Sequence, residues 1–184
     1  MSGKAYALGL LVGRFQTVHL GHGQMISKAL ELCERVGIFV GSSQESGTER
    51  NPFSYEVRKS LLGKLFGDRV EVYPLPDIGV GNNAEWGRHV LACAAERFGE
   101  VPDLFVTGRE TRRIDWFDCP EGAGMAQLYI PKMIDISASG MRRFLMENDR
   151  ASWERYTDPA LWEAFGRLRE LALASAGNTE TDSI

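Results

Sequence analysis

The chain has 184 residues, of which 43% are hydrophobic and 25% charged, with a formal net charge of −4. That is the size of one α/β domain with room for a short helical extension, and the composition excludes wholesale disorder and fibrous folds. An acidic balance argues against nucleic acid as partner, because its backbone calls for a broad basic face, and no run approaches the ~20 apolar residues of a membrane span.

Within that frame, 16 of the 21 basic residues are arginine, whose rigid fork of donors fits phosphate and carboxylate. Glycine is roughly 11% of the chain against a usual ~7%. The three cysteines, Cys33, Cys93 and Cys119, are far apart. Cys33 and Cys93 fall in apolar helical patterns, so buried free thiols and a reducing, cytoplasmic location are expected. The apolar run 5–12 carries no cleavage site and reads as structure rather than targeting.

Strand and helix patterns alternate along the chain. Residues 6–12 read as a buried first strand, 13–23 as a glycine-punctuated loop and 23–35 as a helix. A second strand over 37–40 ends in the polar stretch 41–52, and a helix over 54–66 places Val57, Leu61, Leu62 and Leu65 on one face. A third strand follows over 70–75, a loop over 76–83, a helix over 86–98 and a fourth strand over 103–107. Residues 109–124 look irregular or partly helical. A short fifth strand covers 128–130, a helix opens at 139–146, and 159–173 reads as a terminal amphipathic helix. The expectation is one domain over 1–184: a core over about 5–150, C-terminal helices over about 153–174 and a flexible tail over 175–184. Alternation with buried strands argues an open parallel sheet with helices on both faces. Ligands of such sheets sit beyond the carboxyl ends of the strands.

Those ends are chemically loaded. After strand one comes Gly13-Arg14-Phe15-Gln16-Thr17-Val18-His19-Leu20-Gly21-His22-Gly23, at a helix start where amides and the helix dipole favour anions. His19 and His22, three apart, fall on the same side of a helical turn. With Arg14 they suit a polyphosphate. A zinc pair or merely structural histidines are the alternatives. The glycine spacing matches neither the dinucleotide fingerprint nor the phosphate loop. A second constellation, Ile136-Ser137-Ala138-Ser139-Gly140-Met141-Arg142-Arg143, places Ser137 or Ser139 as N-cap with Arg142 one turn on. It is either a phosphate cradle or an ordinary capped helix start.

Together, in this order, the two stretches resemble the HxGH nucleotidylyltransferase superfamily, with Thr17 where relatives usually have proline. Two further segments are similar to archaeal-type nicotinamide mononucleotide (NMN) adenylyltransferases. The first is Gly41-Ser42-Ser43-Gln44 followed by Arg50-Asn51-Pro52-Phe53 and Arg58, with Gly47 where relatives often carry histidine. The second is Asp77-Ile78 followed by Asn83-Ala84-Glu85-Trp86. The resemblance covers about residues 6–170 and matches 109–124 poorly.

It implies a Rossmann-like nucleotidylyltransferase fold and transfer of AMP from ATP to NMN, giving NAD⁺ and pyrophosphate. It implies His19, His22 and Arg142 as catalytic residues. It assigns Gly13, Arg14, Phe15, Gln16, Gly21, Arg50, Arg58, Gly108, Arg109, Ile136, Ser137 and Ser139 to ATP and its phosphates, and Asn83, Trp86 and Ser42 to NMN. Stacking of a cationic pyridinium on the Trp86 indole agrees with this. No carboxylate cluster dedicated to a metal is evident, so Mg²⁺ is expected to ride on the phosphates. Arg112 and Arg113 read as a solvated face with Glu110 and Asp115, or else as a basic rim for phosphates. Family members often assemble, and the apolar terminal helices permit a homo-oligomer. The alternatives are a cytidylyltransferase or phosphopantetheine adenylyltransferase of the same superfamily, a non-catalytic nucleotide-binding regulator, and a zinc hydrolase.

Overall fold

The computed structural model describes residues 3–81, 83–108 and 114–178. Among them five strands form one sheet: β1 (Tyr6–Gly13), β2 (Cys33–Gly41), β3 (Glu71–Leu75), β4 (Leu104–Thr107) and β5 (Ala126–Tyr129). Their order is β3-β2-β1-β4-β5 and every pairing is parallel. The chain steps outward from β1 to β3 and then returns to the other side, so the order reverses between β1 and β4. A crevice opens at such a reversal. The register pairs Gly13 with Val40, Gly41 with Leu75 and Thr107 with Tyr129, which brings the loaded loops to one edge of the sheet.

Alternation along the strands divides the core. Leu11, Ile38, Val40, Leu104 and Val106 face one side. There they meet α1 (Leu20–Leu32), α2 (Tyr55–Phe66), α4 (Ala138–Met146), α5 (Arg150–Arg155) and α6 (Phe165–Ala174). Leu8, Leu10, Phe39 and Phe105 face the other side, against α3 (Ala84–Phe98) and a 3-10 turn over Ile114–Phe117. The one-residue offset between Leu10 and Leu11 follows from the two-residue period of a strand. Each fully buried Leu or Phe contributes about 1.5–3 kcal/mol of transfer free energy, so both faces need their helices.

Several boundaries differ from the sequence reading. The helix expected over 23–35 runs Leu20–Leu32, because β2 begins at Cys33, which pairs with Tyr6. Cys33 is thus a buried strand thiol, whose acidity burial lowers, pushing its pKa to about 11. Ser54 caps α2 by accepting from the Val57 amide. The expected terminal helix divides into a 3-10 segment, Pro159–Ala164, and α6, after the unforeseen short helix α5, which buries Trp153 completely. The tail expected to be flexible from 175 starts instead with a buried Ser175 and with Asn178 bonded to the loop after β2; residues 179–184 lie outside the described residues. Among the described residues no helix is long and apolar enough to cross a membrane.

The contact between α3 and the Ile114–Phe117 turn is unusually close. A Cβ added at Gly87 would lie 1.5 Å from the Trp116 carbonyl oxygen, and backbone offers no flexible end that could give way. Gly87→Ala is therefore expected to lose about 2–3 kcal/mol of stability, read as a lower midpoint in urea, whereas Gly63→Ala, with open space at its Cβ, should not lose any.

Candidate active site

A cavity of about 810 Å³ opens at the carboxyl ends of β1, β2 and β4. The segment after β1 forms one wall. His19 is the N-cap of α1, in extended conformation at φ −139, and His22 follows at the third helical position. The His19 amide donates to His22 Nδ1 at 3.3 Å, which leaves the His22 Nε2 as the ring nitrogen that carries hydrogen in the neutral form. The two rings stack, with centroids 3.8 Å apart at 25°, and Phe15 packs against His22 at 4.9 Å. Burial and the nearby Lys132 charge push the His19 pKa down to about 4. Burial, then His19, holds His22 well below the ordinary 6.5. Both imidazoles are neutral donors at pH 7. The first amides of α1 are partly spent, since Leu20 donates to Tyr156 O at 2.9 Å, so the imidazoles carry more of the anion-facing role than a bare helix start would.

The second constellation meets the first directly. Ser137 caps α4, its Oγ accepting from the Gly140 amide at 3.1 Å. One turn on, Arg142 donates to the Gln16 carbonyl at 2.9 Å and to Ser139 Oγ at 3.2 Å. Burial lowers the Arg142 pKa, the Glu49 charge opposes this and the Arg50 charge adds to it, so the loop after β2 brings both a carboxylate and a cation near Arg142. Arg14 and Arg50 line the same cavity, Arg14 reaching Asn51 Oδ1 at 3.5 Å. Gly13, Gly21, Ser42, Gly108, Ile136 and Ser137 lie on the wall. At Gly108 a Cβ would meet Met25 Sδ at 2.9 Å, so glycine there leaves room for both Met25 and an approaching ligand.

Other expected site residues have different duties. Arg58 is wholly buried and absent from the cavity wall. It donates to the carbonyls of Gly41 (2.8 Å), Arg14 (3.0 Å), Ser42 (3.0 Å) and Ser54 (3.2 Å). Although the resemblance groups Arg58 with the ATP-binding residues, its donors are spent on backbone, which suits steadying the loops of the site. Burial, then the Arg14 charge, lowers its pKa to about 10, which leaves it charged at neutral pH. The Gln16 side chain is also spent, donating to Phe53 O and accepting from Phe53 N, both at 3.0 Å; its backbone is what faces Arg142. Ser139 is exposed and lines an adjoining recess of about 540 Å³ rather than the cavity itself. Asn83 is likewise not on the cavity wall. It is the N-cap of α3, its Oδ1 accepting from Glu85 N and Trp86 N at 3.0 and 3.1 Å.

Trp86 does line the cavity, buried in the first turn of α3, and meets Trp116 edge to face at 6.0 Å. Trp116, on the same wall, was not singled out by sequence. It stands in a segment without hydrophobic period, where a lone indole carries no signal. Lys132 was missed too; a lone lysine after a short strand is ordinary in sequence, and only the fold brings it beside His19. Arg109, Glu110, Arg112 and Arg113 lie outside the described residues. Asp77 is the carboxylate on the wall among the described residues, and no cluster of three metal-ligating side chains gathers among them.

Comparison with known proteins gives this arrangement a family. A model described as cytidylyltransferase-like matches residues 10–143, which span both constellations. The chain belongs to that family. The cytidylyltransferase-like chain is 34% identical over 178 residues to the nicotinamide-nucleotide adenylyltransferase of Aeropyrum pernix, covering 88% of this chain and 97% of that one. It is 37% identical over 168 residues to that of Pyrococcus furiosus, covering 88% and 84%. The match to the Saccharolobus solfataricus enzyme is 40% identical over 88 residues and spans about half of that protein, 50%. In fold, the chain is similar to a bifunctional NMN adenylyltransferase/ADP ribose pyrophosphatase from Francisella tularensis (TM-score 0.73, 21% identity), covering 91% of this chain and 52% of that one. It is also similar to a nicotinic acid mononucleotide adenylyltransferase of Plasmodium falciparum (TM-score 0.57, 14% identity), covering 91% and 99%.

The buried histidines link this family site to pH. His19 titrates near 6.5 when unfolded and near 4 when folded, so unfolding takes up a proton between those values. The stabilisation from keeping it neutral is complete above pH about 6.5 and is lost as pH falls toward about 4. In urea melts across this window the wild-type curve should fall more steeply than that of His19→Gln; parallel curves would refute the assignment.

Proposed function

We propose that this chain is a nicotinamide-nucleotide adenylyltransferase, transferring AMP from ATP to NMN with formation of NAD⁺ and pyrophosphate. The observation that carries the reading is the 2.9 Å hydrogen bond from Arg142 to the Gln16 carbonyl, because it joins the two phosphate-directed segments at one cavity beside the stacked histidines. Near-full-length identity to enzymes so named supports NMN as acceptor.

In this reading the NMN phosphate attacks the α-phosphorus of ATP and pyrophosphate leaves in line, with no covalent intermediate on the protein. Catalysis is then positioning and charge stabilisation. His22, through its Nε2–H, and His19 donate to the phosphate oxygens as negative charge builds on them. Both rings are neutral before ATP arrives, so they need shed no tightly bound anion. The incoming charge favours their protonated forms, and ATP binding should draw protons from solution. Arg142, Arg14 and Arg50 supply fixed positive charge around the triphosphate, and Lys132, beside His19, adds to it. Trp86, with Trp116 at its edge, presents an aromatic surface to the cationic nicotinamide. Mg²⁺ bound with ATP would neutralise triphosphate charge, and Asp77, the carboxylate on the described wall, suits an ion that would be held mainly by the phosphates. We place the protein in the cytoplasm, in keeping with the buried thiols Cys33 and Cys119.

Activity measurements test this. Purified protein with ATP, NMN and Mg²⁺ should form NAD⁺ and pyrophosphate, and His22→Ala should lower kcat by roughly 10²–10³ with the fold retained. A matrix of ATP or CTP against NMN, nicotinate mononucleotide and other phosphorylated acceptors, read as pyrophosphate, should peak at ATP with NMN; a peak at CTP would overturn the donor. Trp86→Ala should raise KM for NMN by about tenfold and KM for ATP far less, and an equal rise in both would overturn its role.

A further inference from the structure

Past α6 the chain makes a hydrogen-bonded turn. The buried Ser175 donates from its hydroxyl to Leu171 O at 2.8 Å, Ala176 N donates to Leu173 O at 3.2 Å and Asn178 N to Ser175 O at 3.3 Å. Gly177, at φ 85, takes the left-handed conformation that closes it. The turn delivers Asn178 to the loop after β2. There its Nδ2 donates to Gly47 O at 3.0 Å, and its backbone carbonyl accepts from Glu49 N at 3.0 Å. One residue thus brackets Gly47 to Glu49 with a donor and an acceptor, as a neighbouring strand would.

The loop it brackets carries Arg50. Arg58 holds the base of that loop through the carbonyls of Gly41 and Ser42. Its far end closes on itself, Thr48 N donating to Asn51 O at 3.4 Å and Asn51 N to Thr48 Oγ1 at 3.0 Å. Between them lies Gly47, at φ 71, the most permissive backbone in the loop. Arg50 is exposed yet lines the cavity, and its charge is felt by Arg142. The Glu49 carboxylate on the same turn acts on Arg142 in the opposite sense. A loop free to move at Gly47 would let the exposed Arg50 leave the cavity, and the bracket at Gly47 and Glu49 opposes that swing.

We propose that Asn178 is a positioning residue for nucleotide binding, holding the Gly47–Asn51 turn so that Arg50 stays over the cavity before the nucleotide arrives. The identity of the nucleotide, ATP, rests on the adenylyl-transfer reading; the role of Asn178 in seating Arg50 does not depend on which acceptor is used. Preorganisation of this kind lowers the ordering cost of binding and leaves chemistry at saturation untouched.

The test is ATP titration by calorimetry without acceptor, alongside initial rates with ATP and NMN. Asn178→Ala, which removes the bond to Gly47, should weaken ATP binding and raise KM for ATP by about fivefold. Saturated kcat and KM for NMN should stay within about twofold, and Tm within about 2 °C. A chain stopped at Ser175 loses the bond from Glu49 as well and should weaken ATP by about tenfold or more. In an Arg50→Ala background, Asn178→Ala should change ATP affinity less than about twofold, since the residue it acts through is gone. Unchanged ATP affinity in Asn178→Ala overturns the proposal, as does an equal loss in the Arg50→Ala background. A parallel rise of both KM values with a fallen Tm also overturns it, because that pattern is simple loss of fold stability. ATP binding without NAD⁺ formation would overturn the acceptor instead, and the calorimetric comparison would still decide the role of Asn178.

Discussion

The guanidinium of Arg58 holds the site together. Placing a cation out of water costs several kcal/mol. Here the cost is offset by hydrogen bonds to four carbonyls from the loop after β1, the loop after β2 and the start of α2. The carbonyls of Arg14, Gly41 and Ser42 lie at the ends of parallel strands, where ladder bonding stops and the backbone needs other partners. Arg58 supplies them. The charge retained inside the fold adds a positive field beneath the cavity that no ligand can displace. The reciprocal pair between Gln16 and Phe53 joins the same two loops a few residues away, so the walls carrying Arg14, His19 and Arg50 are tied at two points.

On that base the cavity divides its work between two kinds of donor. The histidines are buried, stacked and neutral, and so can donate hydrogen bonds without a standing repulsion. The arginines remain charged and are arranged around the rim, each with a protein partner: Arg14 at Asn51, Arg142 at Gln16 and Ser139. A protein of net charge −4 thereby presents a local positive pocket suited to a small polyanion while offering no broad face to a long one. The chain segments that form this pocket come from both ends of the sequence. α1 rests on Tyr156 through Leu20, and the loop after β2 rests on Asn178, so the C-terminal helices belong to the architecture of the site.

Much of this was legible in the sequence. Buried apolar runs separated by glycine-rich loops give strands a period-two or continuous pattern and helices a 3.6 pattern, and β1, β3, β4 and β5 were found within about two residues of their observed ends, whereas β2 starts at Cys33 rather than at 37. Boundaries slipped where a local pattern was overridden by pairing. Cys33 continues an apolar helical stripe and its amide still donates to Ala29 O, yet it pairs with Tyr6 of β1, and a strand begins there. Asn83 and Arg58 show the same limit for site residues. An asparagine before a helix and an arginine one turn into a helix each have a ligand reading and a structural one, and the residue types alone do not separate them. Trp116 and Lys132 were silent because they have no neighbours in sequence that share their role.

The sequence by itself determined the fold class and the local make-up of the two segments at the cavity, since glycine at a strand end, paired histidines at a helix start and a serine-capped helix with arginine are local arrangements. Only the tertiary structure decided which donors face the cavity and which are consumed by the fold. That choice depends on which carbonyls and amides the strand order β3-β2-β1-β4-β5 leaves without partners, and these lie tens of residues away along the chain.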